Sequence, residues 1–210
     1  MLLTSGVRAN AAEVGLFEGG VRSTLLIISI VALAACATPQ WSVGFPDLPI
    51  EKPTAGAREI GVAETEDSRS SIVVGWKGLA ELRAGPGLPD YLESKLRNEL
   101  VERGLAPVEA LDPTKTSVSQ PYKVIVLTLQ SAEFEWAGIV NGDAVSEIGI
   151  GVRIYAPGGK LIYSASFSGK SDNTAHLIPT SVAAGDLIAP AADEAVKAAF
   201  ADPRFEKAIR

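Results

Sequence analysis

The chain has 210 residues, a formal net charge of −6, one cysteine and one histidine. An acidic balance without a basic cluster argues against a nucleic-acid partner. A single thiol excludes an internal disulfide and a cysteine-built metal site, and a single imidazole is a poor start for zinc.

Residues 1–23 place only Arg22 directly ahead of an apolar run, with Glu13 and Glu18 further upstream. A true start nearer the run, at Val21, is one expectation and a long leader the other. Residues 25–33 match the length of a signal-peptide core and fall short of the roughly 20 residues that span a membrane. Small residues then lead to the only cysteine, in Leu33-Ala34-Ala35-Cys36. This segment resembles the lipobox of bacterial lipoproteins. The resemblance implies that the Cys36 thiol takes a diacylglyceryl group and that Leu33, Ala34 and Ala35 are read by a peptidase cutting before Cys36. It also implies that the new amino group is acylated. No other cofactor is expected. A plain secreted protein with one buried or stray thiol is the alternative. Ala37 stands where an aspartate would favour inner-membrane retention in enteric bacteria, so the outer membrane, periplasmic face, is the expected location. Removal of 1–35 takes away two arginines and two glutamates and leaves 175 residues, enough for one domain with a real core.

Residues 36–57 are expected as a tether, because Pro39, Pro46, Pro49 and Pro53 allow neither a helix nor a central strand to persist. Trp41 and Phe45 within it either rest on the bilayer interface or pack on the domain. The domain proper is expected over 58–210. Residues 59–64 and 71–76 read as strands around a polar turn. Pro89 fits the first turn of a helix carrying Leu88, Leu92, Leu96 and Leu100 on one face, and Gly104 stops it. Its other face (Glu93, Lys95, Arg97, Glu99, Glu102) is expected to be solvated. Residues 105–111 form a short edge strand interrupted by Pro107.

Three long strands follow. Residues 122–136 open with a β-branched run that is apolar on both faces. Residues 145–155 put Ile148, Ile150, Val152 and Ile154 on one face and Glu147, Gly149, Gly151, Arg153 and Tyr155 on the other. Residues 160–169 alternate again after Pro157-Gly158-Gly159. Short turns between alternating strands predict an antiparallel meander. An alanine-rich helix from Ser181 carries Val182, Leu187, Ile188, Val196 and Phe200, with its start blurred or kinked by Gly185 and Pro190. Asp202-Pro203 caps a last short helix bearing Phe205 and Ile209. The sum is an α+β fold. An antiparallel-rich sheet of five or six strands, ending in a three-strand meander, carries two main helices on one face; its other face is partly open.

The helix end ELVERGL, the strand PYKVIVLTLQSAEF, the turn APGGK and the tail FEKAI resemble the YajG-type bacterial lipoproteins, in order and spacing over most of 60–210. The resemblance implies a lipid anchor, a periplasmic α+β domain and no catalytic residues. More distantly the layout is similar to auxiliary lipoproteins of envelope transport and lipopolysaccharide assembly.

Chemistry-bearing residues are sparse. His176 lies in a loop near Ser171 and Asp172, where a hydrolase triad would need convergence in space; a lone loop histidine is more often just exposed. Gly149-x-Gly151 sits mid-strand, which suits a crossing side chain better than a phosphate loop. Glu133, Glu135 and Asp143 read either as an acid pair or cation site, or as a solvated strand end and turn. Phe134 and Trp136 break the solvent face of their strand. They are read either as core or, with Tyr155, as a binding surface. The functional expectation is a non-enzymatic, lipid-anchored module that binds an envelope protein or lipid, through a sheet face or an edge strand. The alternative is a lipid or glycolipid transport accessory with an apolar pocket between helices and sheet.

Overall fold

The structure, a computed structural model, describes residues 40–77, 80–85, 87–116, 119–137, 143–173 and 181–210. In chain order these form β1 (Gln40–Val43), β2 (Arg58–Ala63), β3 (Glu66–Asp67), β4 (Val73–Lys77), β5 (Ala80–Ala84) and helix α1 (Gly87–Glu102). Then come β6 (Leu105–Ala110), β7 (Val124–Ala137), β8 (Asp143–Tyr155), β9 (Leu161–Asn173), α2 (Ser181–Ala201) and α3 (Pro203–Ile209). The fold is α+β, with two open sheets.

The larger sheet has the order β6-β2-β7-β8-β9, with β3 also beside β7. The meander β7-β8-β9 is antiparallel, while β2 runs parallel to both β6 and β7. Residue alternation decides what each face does. Ile148, Ile150, Val152 and Ile154 are buried under the helices with Ile125, Leu127 and Leu129 of β7. Beyond Leu129 the register of β7 shifts against β8, with Gln130 as the extra residue. One added residue reverses which side chains face the core. The shift therefore turns Ala132, Phe134 and Trp136 inward, to the side that Ile125 and Leu127 occupy upstream. A Cβ on Gly151 would meet the Gln130 side chain at 2.6 Å, and one on Gly149 would meet Ser131 Oγ at 2.4 Å. The two glycines thus make room where β7 bulges.

Helix α1 buries its leucine stripe as expected and ends at Gly104, whose φ of 74° suits a residue without Cβ. Its charged face is not simply solvated. Arg97 is 6% exposed, pairs with Glu93 at 3.0 Å and donates to the Val62 carbonyl. Glu93 also accepts from the Thr65 N–H, so this face holds the end of β2. Arg103 binds Glu99 and Glu206 and lies 4.0 Å from the centre of the Phe200 ring, joining α1, α2 and α3.

The proline-rich stretch departs from the expected tether. From Gln40 on it is folded against the domain. β1 runs parallel to β5 in a three-stranded sheet of order β1-β5-β4, Val43 is buried and Phe45 packs on Tyr91. Asn98 ties the segment down through the Glu51 N–H and the Pro49 carbonyl. Residues 71–76, read as a strand, supply β4 of this second sheet; β5 has no counterpart in the sequence reading.

Helix α2 runs through Pro190, whose side chain is exposed. Asp202 caps α3 by accepting from the Arg204 N–H at 2.8 Å. At the other end of α3, Arg58 and Lys123 donate to the carbonyls of Ala208, Ile209 and Arg210, where cations suit the helix dipole. Two buried tyrosines brace the helices. Tyr91 donates to Asp193 and Tyr163 to Asp202, each at 2.9 Å. Burial, then the carboxylate partner, raises both phenols, Tyr163 from 10.0 to about 12. Below pH 10 folded and unfolded chains both keep the Tyr163 proton. Above it the unfolded chain ionises first, so stability falls as pH rises from 10 through 12. We expect Tyr163 alone to cost on the order of 2 kcal/mol across that window. Urea midpoints at stepped alkaline pH check this, and Tyr163→Phe should flatten the slope.

Candidate functional site

The three aromatic residues read as one surface do not converge. Phe134 is 5% exposed and belongs to the main core, with Trp136 packed beside it. The Trp136 indole Nε1 is buried without a hydrogen-bond partner among the described residues. Tyr155 sits on the other sheet face, in a small cluster with Ala63, Val124 and Val126. In register it stands opposite Val124, whereas Trp136 stands opposite Ala144, eleven β8 residues away. A binding surface built from Phe134, Trp136 and Tyr155 is therefore not present. Phe134 lies in the main core, and Trp136 is partly buried against it.

Cys36, with Leu33, Ala34 and Ala35, lies outside the described residues, as does His176. Ser171 and Asp172 are in β9 and stand opposite Ser146 and Val145. Glu133 and Glu135 are exposed on β7, and the residue facing Glu133 is Glu147, with Lys170 beyond it on β9. Asp143 faces Ala137. This arrangement is a charged, solvated sheet end. Among the described residues no group of three or more His, Cys, Asp or Glu side chains is placed to hold a metal ion.

A polar cleft of about 670 Å3 lies beyond the C-terminal ends of the parallel strands β2 and β6, lined by Glu64, Thr65, Glu66, Asp67, Asp112 and Lys115 among others. Two of its carboxylates, Glu66 and Asp67, are tied. Glu66 is held by Lys115 at 2.5 Å and by Arg153 at 3.0 Å. The Arg69 guanidinium chelates Asp67 and keeps its carboxyl below the usual range. Asp112 accepts from the Thr114 N–H and hydroxyl through Oδ1, while its Oδ2 and the Thr65 hydroxyl are buried without partners. Ion pairs thus hold Glu66 and Asp67 in the cleft, while Asp112 Oδ2 and the Thr65 hydroxyl stay unpaired among the described residues. The sequence reading passed over it, because Glu66, Lys115 and Arg153 lie on separate elements and share no spacing.

One edge of the large sheet, β9, is the other open feature. β9 is 13 residues long and, among the described strands, pairs with β8 alone. Ser164, Ser166, Ser168 and Lys170 are exposed on its helix-free side, while Ala165 and Phe167 are half-buried on the other. Such an edge presents a row of unpaired backbone donors and acceptors.

No protein-family model matches the chain. No curated protein matches it either. Solved structures do. A protein of family DUF330 from Xanthomonas campestris is 13% identical, with a TM-score of 0.44 over 81% of this chain and 95% of its own. A minor lipoprotein from Acinetobacter baumannii is 11% identical, with a TM-score of 0.42 over 72% and 93%. A homologue of the neuraminyllactose-binding hemagglutinin from Helicobacter pylori is 8% identical, with a TM-score of 0.42 over 79% and 97%. All three scores lie below 0.5, and no function is carried over from them.

Proposed function

We propose that the chain is a lipid-anchored, YajG-like lipoprotein of the bacterial envelope, held by acylated Cys36 at the periplasmic face of the outer membrane. Its folded domain binds another envelope component, protein or lipid, without transforming it. Several buried acyl chains, each methylene worth about 0.8 kcal/mol, make release from the bilayer negligible. The observation that supports a binding role is the edge of β9, which no described strand covers. An extended segment of a partner can add to it through backbone hydrogen bonds, with side chains reading alternate positions. The exposed serines leave that edge sterically open. The non-enzymatic reading draws support from the cleft's Glu66 and Asp67, which are engaged by Lys115, Arg153 and Arg69.

Two measurements test this reading. In cells fed an alkyne-bearing palmitate analogue, the wild-type protein is expected to be labelled, and Cys36→Ser to lose all label and leave the membrane fraction. For binding, a photo-crosslinking amino acid at Ser166 is expected to give a discrete adduct in intact cells, and the same group at exposed Lys197 on α2 none. Absence of any adduct along β9 would remove the edge as the binding surface.

A further inference from the structure

We infer that the end of the three-stranded sheet where β1 begins is the membrane-facing pole of the domain, with the headgroup region of the bilayer as its occupant; this rests on Cys36 being the anchor. Three residues, Ala37, Thr38 and Pro39, separate Cys36 from Gln40, the first residue of β1. Fully extended, the four steps from Cys36 to Gln40 cover at most about 14 Å. The leash cannot lengthen by peeling β1 away at no cost, because Val43 is 6% exposed in the core and Phe45 packs on Tyr91.

Register then says what else lies at that end. Gln40 stands opposite Glu81, Glu81 opposite Trp76, and Ala80 opposite Lys77. The start of β1, the start of β5 and the end of β4 therefore share one level. Trp76 and Lys77 close β4 at this level. The long strands fix the opposite pole. A Cβ on Gly75 would come within 2.2 Å of the Phe134 carbonyl oxygen, so β4 lies against the Trp136 end of β7. At the other end of those strands Val124 stands opposite Tyr155, and Tyr155 opposite Leu161, next to exposed Lys160. The twelve steps of β9 between Asn173 and Leu161 span about 40 Å. One end of the β9 edge is thus close to the bilayer and the other well clear of it, and a partner on that edge belongs to the same membrane or comes down to it.

The test is energy transfer to acceptor-labelled headgroups. Full-length protein purified from membranes, with Lys77 or Lys160 replaced by a click-reactive azido amino acid carrying a donor dye, is placed in phosphatidylethanolamine and phosphatidylglycerol vesicles. Transfer at position 77 is expected to exceed that at 160 at least threefold. Gln40 and Lys207 serve as a second near and far pair should either replacement fold poorly. Equal transfer at the two poles, or more at 160, overturns the inference. Intact mass of the same preparation reads acylation separately. If Cys36 carries no lipid, its free thiol is coupled to a maleimide phospholipid and the transfer is measured on that tether. Failure of the anchor and failure of the orientation are then told apart.

Discussion

Gly169→Ala is expected to cost the domain about 3 kcal/mol or more, at or beyond the upper end of ordinary overpacking. A Cβ at this position would lie 2.1 Å from the Ala191 carbonyl oxygen and 2.2 Å from the Ala195 nitrogen. Both contacts are helix backbone, so no side chain can swing aside. Relief requires lifting α2 off β9. That seam is built for close approach, since Ala184, Ala191, Ala192, Ala195 and Ala199 are all buried along α2. Two controls separate this effect from a general loss of glycine. Gly44→Ala meets nothing within 4 Å, and Gly151→Ala meets mainly the movable amide of Gln130. Each is expected to cost less than about 1 kcal/mol. Urea denaturation of the three variants measures the ranking. A Gly169→Ala protein as stable as wild type would mean that α2 does not sit on β9 at this height.

Phe205→Ala carries the second large expected effect, a loss of about 3–5 kcal/mol. Phe205 is fully buried although α3 is only seven residues long. Its ring stands edge-on to Phe200 at 4.9 Å and to Tyr163 at 5.7 Å. Removal would leave a cavity bounded by β9, α2 and α3, and would loosen the Tyr163–Asp202 bond that steadies the cap residue of the last helix. Leu161→Ala is the comparison. That side chain is 48% exposed, and its truncation is expected to change stability by less than about 0.5 kcal/mol. Equal costs for the two variants would show that the tail helix is not part of the cooperative core.

The sequence made the meander legible because a buried sheet face leaves a period-two record. Ile148, Ile150, Val152 and Ile154 stand where alternation puts them. The leucine stripe and the glycine stop of α1, and the Asp202-Pro203 start of α3, were readable for the same reason: each is a local rule with a local signature. What escaped depends on contacts between distant segments. The prolines of 46–53 correctly forbid a helix, yet say nothing of whether an extended segment is free or laid down. Burial of Val43 and the bonds to Asn98 decided that. Arg97 reads as a surface charge until β2 offers it the Val62 carbonyl. The bulge at Gln130 matters most for the site. One extra residue reversed the parity of Phe134 and Trp136, and it converted an apparent aromatic surface into core. The alanines of α2 were visible as composition, but their purpose appears only with Gly169 beneath them.

The proposed anchor and the pole inferred from it both depend on acylation of Cys36. Intact-mass and N-terminal analysis of the protein purified from membranes tests it most directly. The account predicts a mature chain of 175 residues that begins at Cys36, heavier than its sequence by a diacylglyceryl group and an N-linked acyl chain. A mature chain that starts at any other residue, or one that carries Cys36 unmodified, would contradict it.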